Sequence, residues 1–183
     1  TDVTVKAAEP GSLRVGLIGL DTSHSIAFTK ALNADDAAAD IANCRVVIAY
    51  PQGSADIESS ASRIPAYTKQ IADMGIKIAS SVKEVVAEVD VVLLETNDGR
   101  PHLEQIIPVL KAGKPVFIDK PIAGSLIDAV AIFELARKHK VPVFSSSSLR
   151  FGKNSMIVSP GSRKMVSLSR PSVFACGRSM ISR

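Results

Sequence analysis

A regular alternation between short apolar runs and longer helical stretches most constrains the fold. Six runs rich in β-branched residues follow one another, at residues 13–19, 45–50, 76–79, 90–96, 115–118 and 141–144. Most are nearly continuous in apolar residues, whereas strands of a half-exposed antiparallel sheet alternate between apolar and polar positions. Strands separated by helices connect by right-handed crossovers and pair in parallel. The sequence therefore predicts a doubly wound α/β domain over residues 13–151.

The helical stretches between these runs carry recognisable start and stop signals. Helices are predicted at about residues 26–33, 55–74, 81–89, 101–112 and 125–140. Pro65 predicts a break in the second of them, and Pro108 a bend in the fourth. Ser80 or Ser81 is the expected N-cap of the third helix. If it is Ser81, Glu84 stands where the acid of a capping box belongs.

Composition and charge narrow the classes of partner. The chain of 183 residues is 46% hydrophobic and 22% charged, so most of it can bury a core and is not disordered. Residues 154–183 hold five basic residues and no acid, so residues 1–153, with 17 basic and 18 acidic residues, carry a net charge of −1. A nucleic-acid partner is therefore not predicted from the basic pI. The low aromatic content of 4% also argues against a stacking surface for single strands.

The two ends of the chain depart from the alternating pattern. Residues 1–12 form a polar extension, and residues 152–183 form a basic, serine-rich tail. The tail is open to three interpretations: a loosely docked segment, a functional basic arm, or the product of a truncated or frame-shifted reading. No apolar run reaches the roughly 20 residues needed to span a bilayer. The compartment is unknown; cytoplasmic is the default, and a chain that begins at Thr1 is compatible with an export signal already removed.

Polar residues follow several predicted strands at the point where each strand ends. In an open parallel sheet, ligands bind outside the carboxyl ends of the strands, near the place where the strand order reverses. We therefore expect one shared site at this edge. Its candidates follow the first, second, fourth and fifth runs: Gly19, Leu20, Asp21, Thr22 and His24; Tyr50; Thr96, Asn97 and His102; and Asp119, Lys120 and Pro121.

The segment from Thr96 to Ala123 resembles a known family. It contains Thr96-Asn97, then His102, then the run Ala112-Gly113-Lys114-Pro115-Val116, and finally Asp119-Lys120-Pro121. These elements are similar to the Thr-Pro-Asn…His element, the Ala-Gly-Lys-His-Val run and the Glu-Lys-Pro motif of the Gfo/Idh/MocA oxidoreductases. The resemblance covers about residues 13–151, the nucleotide-binding half of such proteins.

The resemblance implies a Rossmann domain that binds NAD or NADP, and a small-molecule substrate such as a sugar, a polyol or a related hydroxyl compound. It also implies a second, larger substrate domain, which this chain largely lacks, and homo-oligomerisation through that domain. Neither a nucleic acid nor a membrane is an expected partner. Hydride transfer by the chain alone is an open question, because the missing domain usually supplies acid–base groups.

The family's roles transfer to individual positions of this sequence. Lys120 matches the motif lysine near the nicotinamide and the reacting hydroxyl, where a cation stabilises a developing alkoxide; the alternative is a surface lysine. Pro121 shapes the turn, and Asp119 replaces a glutamate. Asn97 and His102 match the element beside the cofactor, although a histidine at a helix start also commonly makes a local hydrogen bond.

The glycine loop departs from the family pattern. In the fingerprint G-x-G-x-x-G aligned from Gly19, the second and third glycine positions hold Asp21 and His24. A carboxylate 4 Å from a pyrophosphate is repelled by on the order of 4 kcal/mol at an effective dielectric constant of about 20. The second strand also ends at Tyr50 and Gln52 without an acid for the ribose, and no arginine follows to favour NADP.

The segment Asp21-Thr22-Ser23-His24 therefore has three interpretations. One of its first three residues caps the first helix, or the segment forms a modified ligand cradle, or Asp21 and His24 bind a metal with His102. The last has no diagnostic spacing, so no metal site is predicted. As an alternative function, the chain is a non-catalytic Rossmann-like module that has lost dinucleotide binding. A weaker third hypothesis is an assembly protein that uses the basic tail.

Overall fold

The computed structural model describes residues 11–39, 41 and 43–147. The predicted tail, and all but the last two residues of the predicted extension, lie outside this part of the chain. The strands are β1 (Leu13–Ile18), β2 (Cys44–Tyr50), β3 (Lys77–Ile78), β4 (Val91–Leu94), β5 (Val116–Asp119) and β6 (Val143–Ser146). The helices are α1 (Ser23–Asn33), α2 (Glu58–Ala61), α3 (Ile64–Asp73), α4 (Val82–Glu88), α5 (His102–Lys111) and α6 (Leu126–His139).

The strands form one six-stranded sheet in the order β3-β2-β1-β4-β5-β6. Every neighbouring pair is parallel. The chain runs outward from β1 to β3, then returns to the other side of β1 and runs outward again from β4 to β6. The strand order therefore reverses between β1 and β4, which confirms the doubly wound parallel sheet predicted from the sequence.

Two predicted helices differ in detail from the observed ones. The stretch at 55–74 is two helices, and Pro65 lies in the first turn of α3, where its missing N–H removes no intrahelical hydrogen bond. Ser81 is the N-cap of α4, and its Oγ accepts from the backbone N–H of Glu84 at 3.2 Å. The Glu84 carboxylate accepts from the backbone N–H of Ser80 at 2.8 Å, so the capping box includes both serines.

Apolar side chains from the two faces of the sheet form two separate cores. On one face, Ile18, Leu94 and Ile118 pack with side chains from α4, α5 and α6. On the other face, Leu17, Leu93 and Phe117 pack with side chains from α1 and α3. Adjacent strand residues point to opposite faces, so both members of each pair are buried. This explains why the strands read as continuous apolar runs.

One helix carries an apolar row that the described residues leave exposed. Leu126, Ile127, Val130 and Phe133 lie along α6, and the first two are 80% and 81% exposed. Their spacing places them on one stripe of the helix surface. No helix in the described ranges is long and apolar enough to cross a membrane.

Candidate functional site

The candidate site lies where β1 and β4 diverge at the carboxyl edge of the sheet. Gly19 follows β1 directly, and Glu95 and Thr96 follow β4. The backbone of Gly19 has φ +98°, and a Cβ at this position would overlap the backbone nitrogen of Thr96. Its N–H donates to the carbonyl oxygen of Tyr50, at the end of β2, at 2.9 Å. Only glycine allows the loops after β1 and β4 to approach this closely.

Asp21 ties three loops together. Its side chain is fully buried. One carboxylate oxygen accepts from the backbone N–H of Asn97 at 3.0 Å, and the other accepts from Ser60 Oγ at 2.6 Å. Ser60 Oγ in turn accepts from the backbone N–H of Ser54 at 3.0 Å. The carboxylate therefore joins the segments that follow β1, β2 and β4.

Thr22, one of the three candidate caps, is the N-cap of α1. Its Oγ1 accepts from the backbone N–H of His24 at 3.3 Å. Ser23 is exposed, whereas Leu20 and Thr22 are buried and Tyr50 is half-buried. The start of α1 thus presents Ser23 and part of His24 to solvent.

His102 is buried between the segments that follow β4 and β5. Its Nε2 lies 2.8 Å from the carbonyl oxygen of Thr96, and its Nδ1 lies 3.1 Å from the carbonyl oxygen of Ile122. Thr96 is also buried, and its Oγ1 donates to Gln105 at 3.0 Å. Both ring nitrogens of His102 therefore face carbonyl oxygens of the protein, one of them 6 and the other 20 residues away in sequence.

His24 reaches across the sheet edge to the end of β5. Its Nδ1 lies 2.6 Å from Asp119 Oδ2. The Asp119 side chain is 3% exposed and that of His24 is 28% exposed. Lys120 is exposed at the rim, with its Nζ 3.8 Å from the same Asp119 oxygen. The peptide bond between Lys120 and the exposed Pro121 is cis.

Glu95 also lies beside His24 and Asp119, although it was not among the site residues predicted from the sequence. It is fully buried at the end of β4, and a carboxylate oxygen lies within 4.8 Å of ligand atoms of His24 and Asp119. Burial raises the pKa of its carboxyl well above the usual value, and the negative charge of Asp119 raises it further, while Lys120 acts in the opposite direction. An acid directly after four apolar strand residues was the available signal.

The structure brings predicted residues into contact at several places along this edge. Asp21 contacts Asn97, His102 contacts Thr96, and Gly19 contacts Tyr50. His24 and Lys120 both lie beside Asp119. Asp21 and His102 do not join His24, so the metal combination of these three residues considered from the sequence does not form. The loops after β1, β4 and β5 nevertheless share one edge of the sheet.

These features define a doubly wound α/β protein of the Rossmann class. A family model described as "Oxidoreductase family, NAD-binding Rossmann fold" matches residues 13–147. The chain therefore belongs to the Gfo/Idh/MocA family of oxidoreductases, and the resemblance seen in the sequence is confirmed.

Individual relatives match over shorter segments. The chain is 33% identical over 81 residues to an "Uncharacterized oxidoreductase" of Streptococcus pneumoniae, covering 43% of this chain and 22% of the relative. It is 36% identical over 58 residues to an inositol 2-dehydrogenase of Gluconacetobacter diazotrophicus, covering 31% and 17%. The crystal structure of a probable dehydrogenase from Thermotoga maritima superposes with a TM-score of 0.59 at 25% identity, covering 76% of this chain and 37% of that one. The chain thus spans about a fifth of the curated relatives it matches.

Proposed function

We propose that this chain is the dinucleotide-binding part of an NAD(P)-dependent oxidoreductase that acts on a sugar, a polyol or a related hydroxyl compound. The observation that carries the proposal is the convergence of the segments after β1, β4 and β5 where the strand order reverses. Ligands of doubly wound sheets bind at this place. The family membership and the likeness to an inositol 2-dehydrogenase support the class of reaction and substrate.

The start of α1 is suited to hold the pyrophosphate. Gly19 lets the chain turn closely at the end of β1, and helix N-termini favour anions through their unpaired N–H groups. The charge of Asp21 is engaged by Ser60 and by the backbone of Asn97, which reduces the repulsion expected from the sequence. We expect Ser23 and His24 to lie nearest the phosphates, with Tyr50 on the ribose side at the end of β2.

Lys120 is the residue to which we assign the catalytic role. Its ammonium is exposed at the rim and next to a buried carboxylate, so it is positioned and still reachable by substrate. A bound nicotinamide would accept or supply the hydride. Lys120 would stabilise the negative charge that develops on the reacting oxygen.

Titration of the purified chain with NADH and with NADPH tests the proposal through the change in cofactor fluorescence. We expect saturable binding of at least one of them. Lys120→Ala should weaken it about tenfold, if the lost contact contributes about 1.5 kcal/mol. Lys111→Ala, which alters an exposed lysine in the last turn of α5, is the matched control. No binding at millimolar cofactor would refute dinucleotide binding.

One observation favours a second candidate function, a non-catalytic ligand-binding module that has lost dinucleotide affinity. His24 occupies the third glycine position and contacts Asp119 across the edge at which ligands of doubly wound sheets bind. In this case, Asp21→Gly or His24→Gly should increase NADH affinity strongly. If the chain already binds the cofactor, both changes should weaken binding or leave it unchanged.

Homo-oligomerisation remains a prediction of the family resemblance. The resemblance places that contact in the second domain, and the exposed apolar row on α6 is a separate candidate interaction surface of this chain. Light scattering of the purified chain would measure the oligomeric state directly.

A further inference from the structure

Three side chains with metal-binding atoms converge at the carboxyl edge of the sheet. His24 lies in the first turn of α1, Glu95 follows β4 and Asp119 ends β5, and one ligand atom from each lies within 4.8 Å of the others. The two acids are buried, while part of the His24 side chain reaches solvent. An ion could therefore enter from the His24 side.

The buried carboxylate of Glu95 is the feature that points to a bound cation. Both of its carboxylate oxygens are buried, and neither has a hydrogen-bond partner within the described part of the chain. Buried polar groups are normally hydrogen-bonded, and a buried charge is normally paired or bound to a metal. Asp119 nearby makes the need for positive charge greater.

Lys120 does not provide the bonding partner that the Glu95 carboxylate lacks among the described residues. Its ammonium is exposed and lies 3.8 Å from Asp119, and no hydrogen bond joins it to Glu95. The single charge of Lys120 acts on both acids, and it leaves the two Glu95 oxygens without a bonding partner in the part of the chain that the structure describes. A divalent cation between the two acids would balance both and would also fill the coordination of Glu95.

We propose that His24, Glu95 and Asp119 form a binding site for one divalent transition-metal ion, with zinc as the best match. An imidazole nitrogen beside two carboxylates favours zinc and its neighbours over magnesium and calcium, which prefer oxygen ligands alone. Three protein ligands leave a fourth position of a tetrahedral ion open to water or to a substrate oxygen.

The spacing of the ligand atoms suits such an ion. Zinc bonds of about 2.0–2.2 Å place two ligand atoms of a tetrahedral site about 3.4 Å apart. Here the ligand atoms of the three residues all lie within 4.8 Å of one another, and His24 Nδ1 lies 2.6 Å from Asp119 Oδ2. Binding through these two atoms requires them to separate slightly. The ion would replace any proton held between His24 and Asp119.

This inference differs from the sequence-based expectation that no metal site forms. The sequence offered His24 with Asp21 and His102 as a metal-binding combination, but the side chains of Asp21 and His102 have other partners in the structure. The proposal does not depend on dinucleotide binding, since its test measures metal binding alone. Failure of the NADH titration would leave it standing, and failure of the zinc titration would leave the proposed function standing.

Titration calorimetry of the full chain, first freed of metal with a chelator, provides the test with zinc chloride as the probe. We expect one zinc ion per chain. Glu95→Gln and Asp119→Asn should each weaken zinc binding about 100-fold or more, because even substitutions outside the ligand sphere commonly cost 10–100-fold. His24→Ala should do the same, and we expect this variant to stay folded because the His24 side chain is partly exposed.

Two matched controls distinguish the site from general surface binding. His139→Gln removes a histidine at the end of α6, and Glu104→Gln removes an exposed acid in the first turn of α5. Neither should change the zinc affinity. Circular dichroism verifies that each variant is folded. The d–d absorption of Co²⁺ bound in place of zinc reports whether nitrogen and oxygen ligands form a site of low coordination number.

Three results would overturn the proposal. The first is no zinc binding by the wild-type chain. The second is zinc binding that the Glu95, Asp119 and His24 substitutions leave unchanged, which would place the ion elsewhere. The third is binding of Mg²⁺ as tight as that of Zn²⁺, which would contradict the assignment to a transition metal.

Discussion

Replacement of Asp21 separates the two roles that its position suggests. The sequence presents it as an acid that would repel a pyrophosphate, whereas the structure shows a buried carboxylate that joins three loops. If it is a structural tie, Asp21→Ala must destabilise the fold. If it is mainly a repulsive charge, the substitution must raise NADH affinity and leave stability nearly unchanged.

The expected loss of stability in Asp21→Ala follows from the two hydrogen bonds that the carboxylate accepts. A hydrogen bond to a charged group contributes about 1.5–3 kcal/mol, so two of them amount to about 3–6 kcal/mol. Removal of a buried charge also relieves some desolvation, so we expect a loss of about 3 kcal/mol in the free energy of unfolding. For a chain of this size, this corresponds to a decrease in Tm of about 6–12 °C.

A double-mutant cycle with Ser60 isolates one of the two bonds. Asp21→Ala, Ser60→Ala and the double variant are unfolded in urea and followed by circular dichroism. We expect a coupling energy of about 1–3 kcal/mol, because the two side chains are in direct contact at 2.6 Å. Ser59→Ala, at an exposed position of α2, is the matched control and should show no coupling to Asp21. A coupling energy below about 0.5 kcal/mol between Asp21 and Ser60 would refute the structural role.

Two further predictions concern stability, and those for cofactor and zinc binding stand with their proposals above. Gly19→Ala should lower the free energy of unfolding by more than about 2 kcal/mol, because it adds an overlap with Thr96 to the backbone cost of positive φ. Gly113 also has positive φ, at +70°, but has open space around it. Gly113→Ala should therefore cost only about 1 kcal/mol in the same urea assay. Equal losses for the two variants would contradict the close approach. Lys77 and Ser80 lower the pKa of Glu84 from 4.5 to about 2, so its contribution to stability is present above pH 4.5 and is lost as the pH falls toward 2. Glu84→Gln should therefore lose less stability over this range than the parent chain, as measured by Tm, whereas Glu104→Gln should follow the parent.

The sequence was a reliable guide to the features that depend on local pattern. Continuous apolar runs and intervening helices predicted the parallel sheet, because a strand buried on both faces has no polar positions. Gly19 was aligned with the first glycine of the fingerprint, and its positive φ directly after β1 fits that position. The short strand predicted at 76–79 is observed as β3. The break predicted at Pro65 is also observed, although it falls just before this residue, because proline fits the first turn of a helix.

The partners of the polar residues could not be predicted in the same way. Asp21 bonds Ser60 and Asn97, which are 39 and 76 residues away, and His24 contacts Asp119 at a separation of 95 residues. Glu95 was not predicted as a site residue, because a single acid after an apolar strand is a weak signal without a distinctive spacing. Periodicity and capping act over a few residues of chain. They were enough to predict the strands, their parallel pairing and the edge of the sheet at which the polar loops lie. The tertiary structure alone decided which side chains at that edge are buried in hydrogen bonds between loops and which lie beside one another. Those contacts depend on the packing of loops that are distant in sequence.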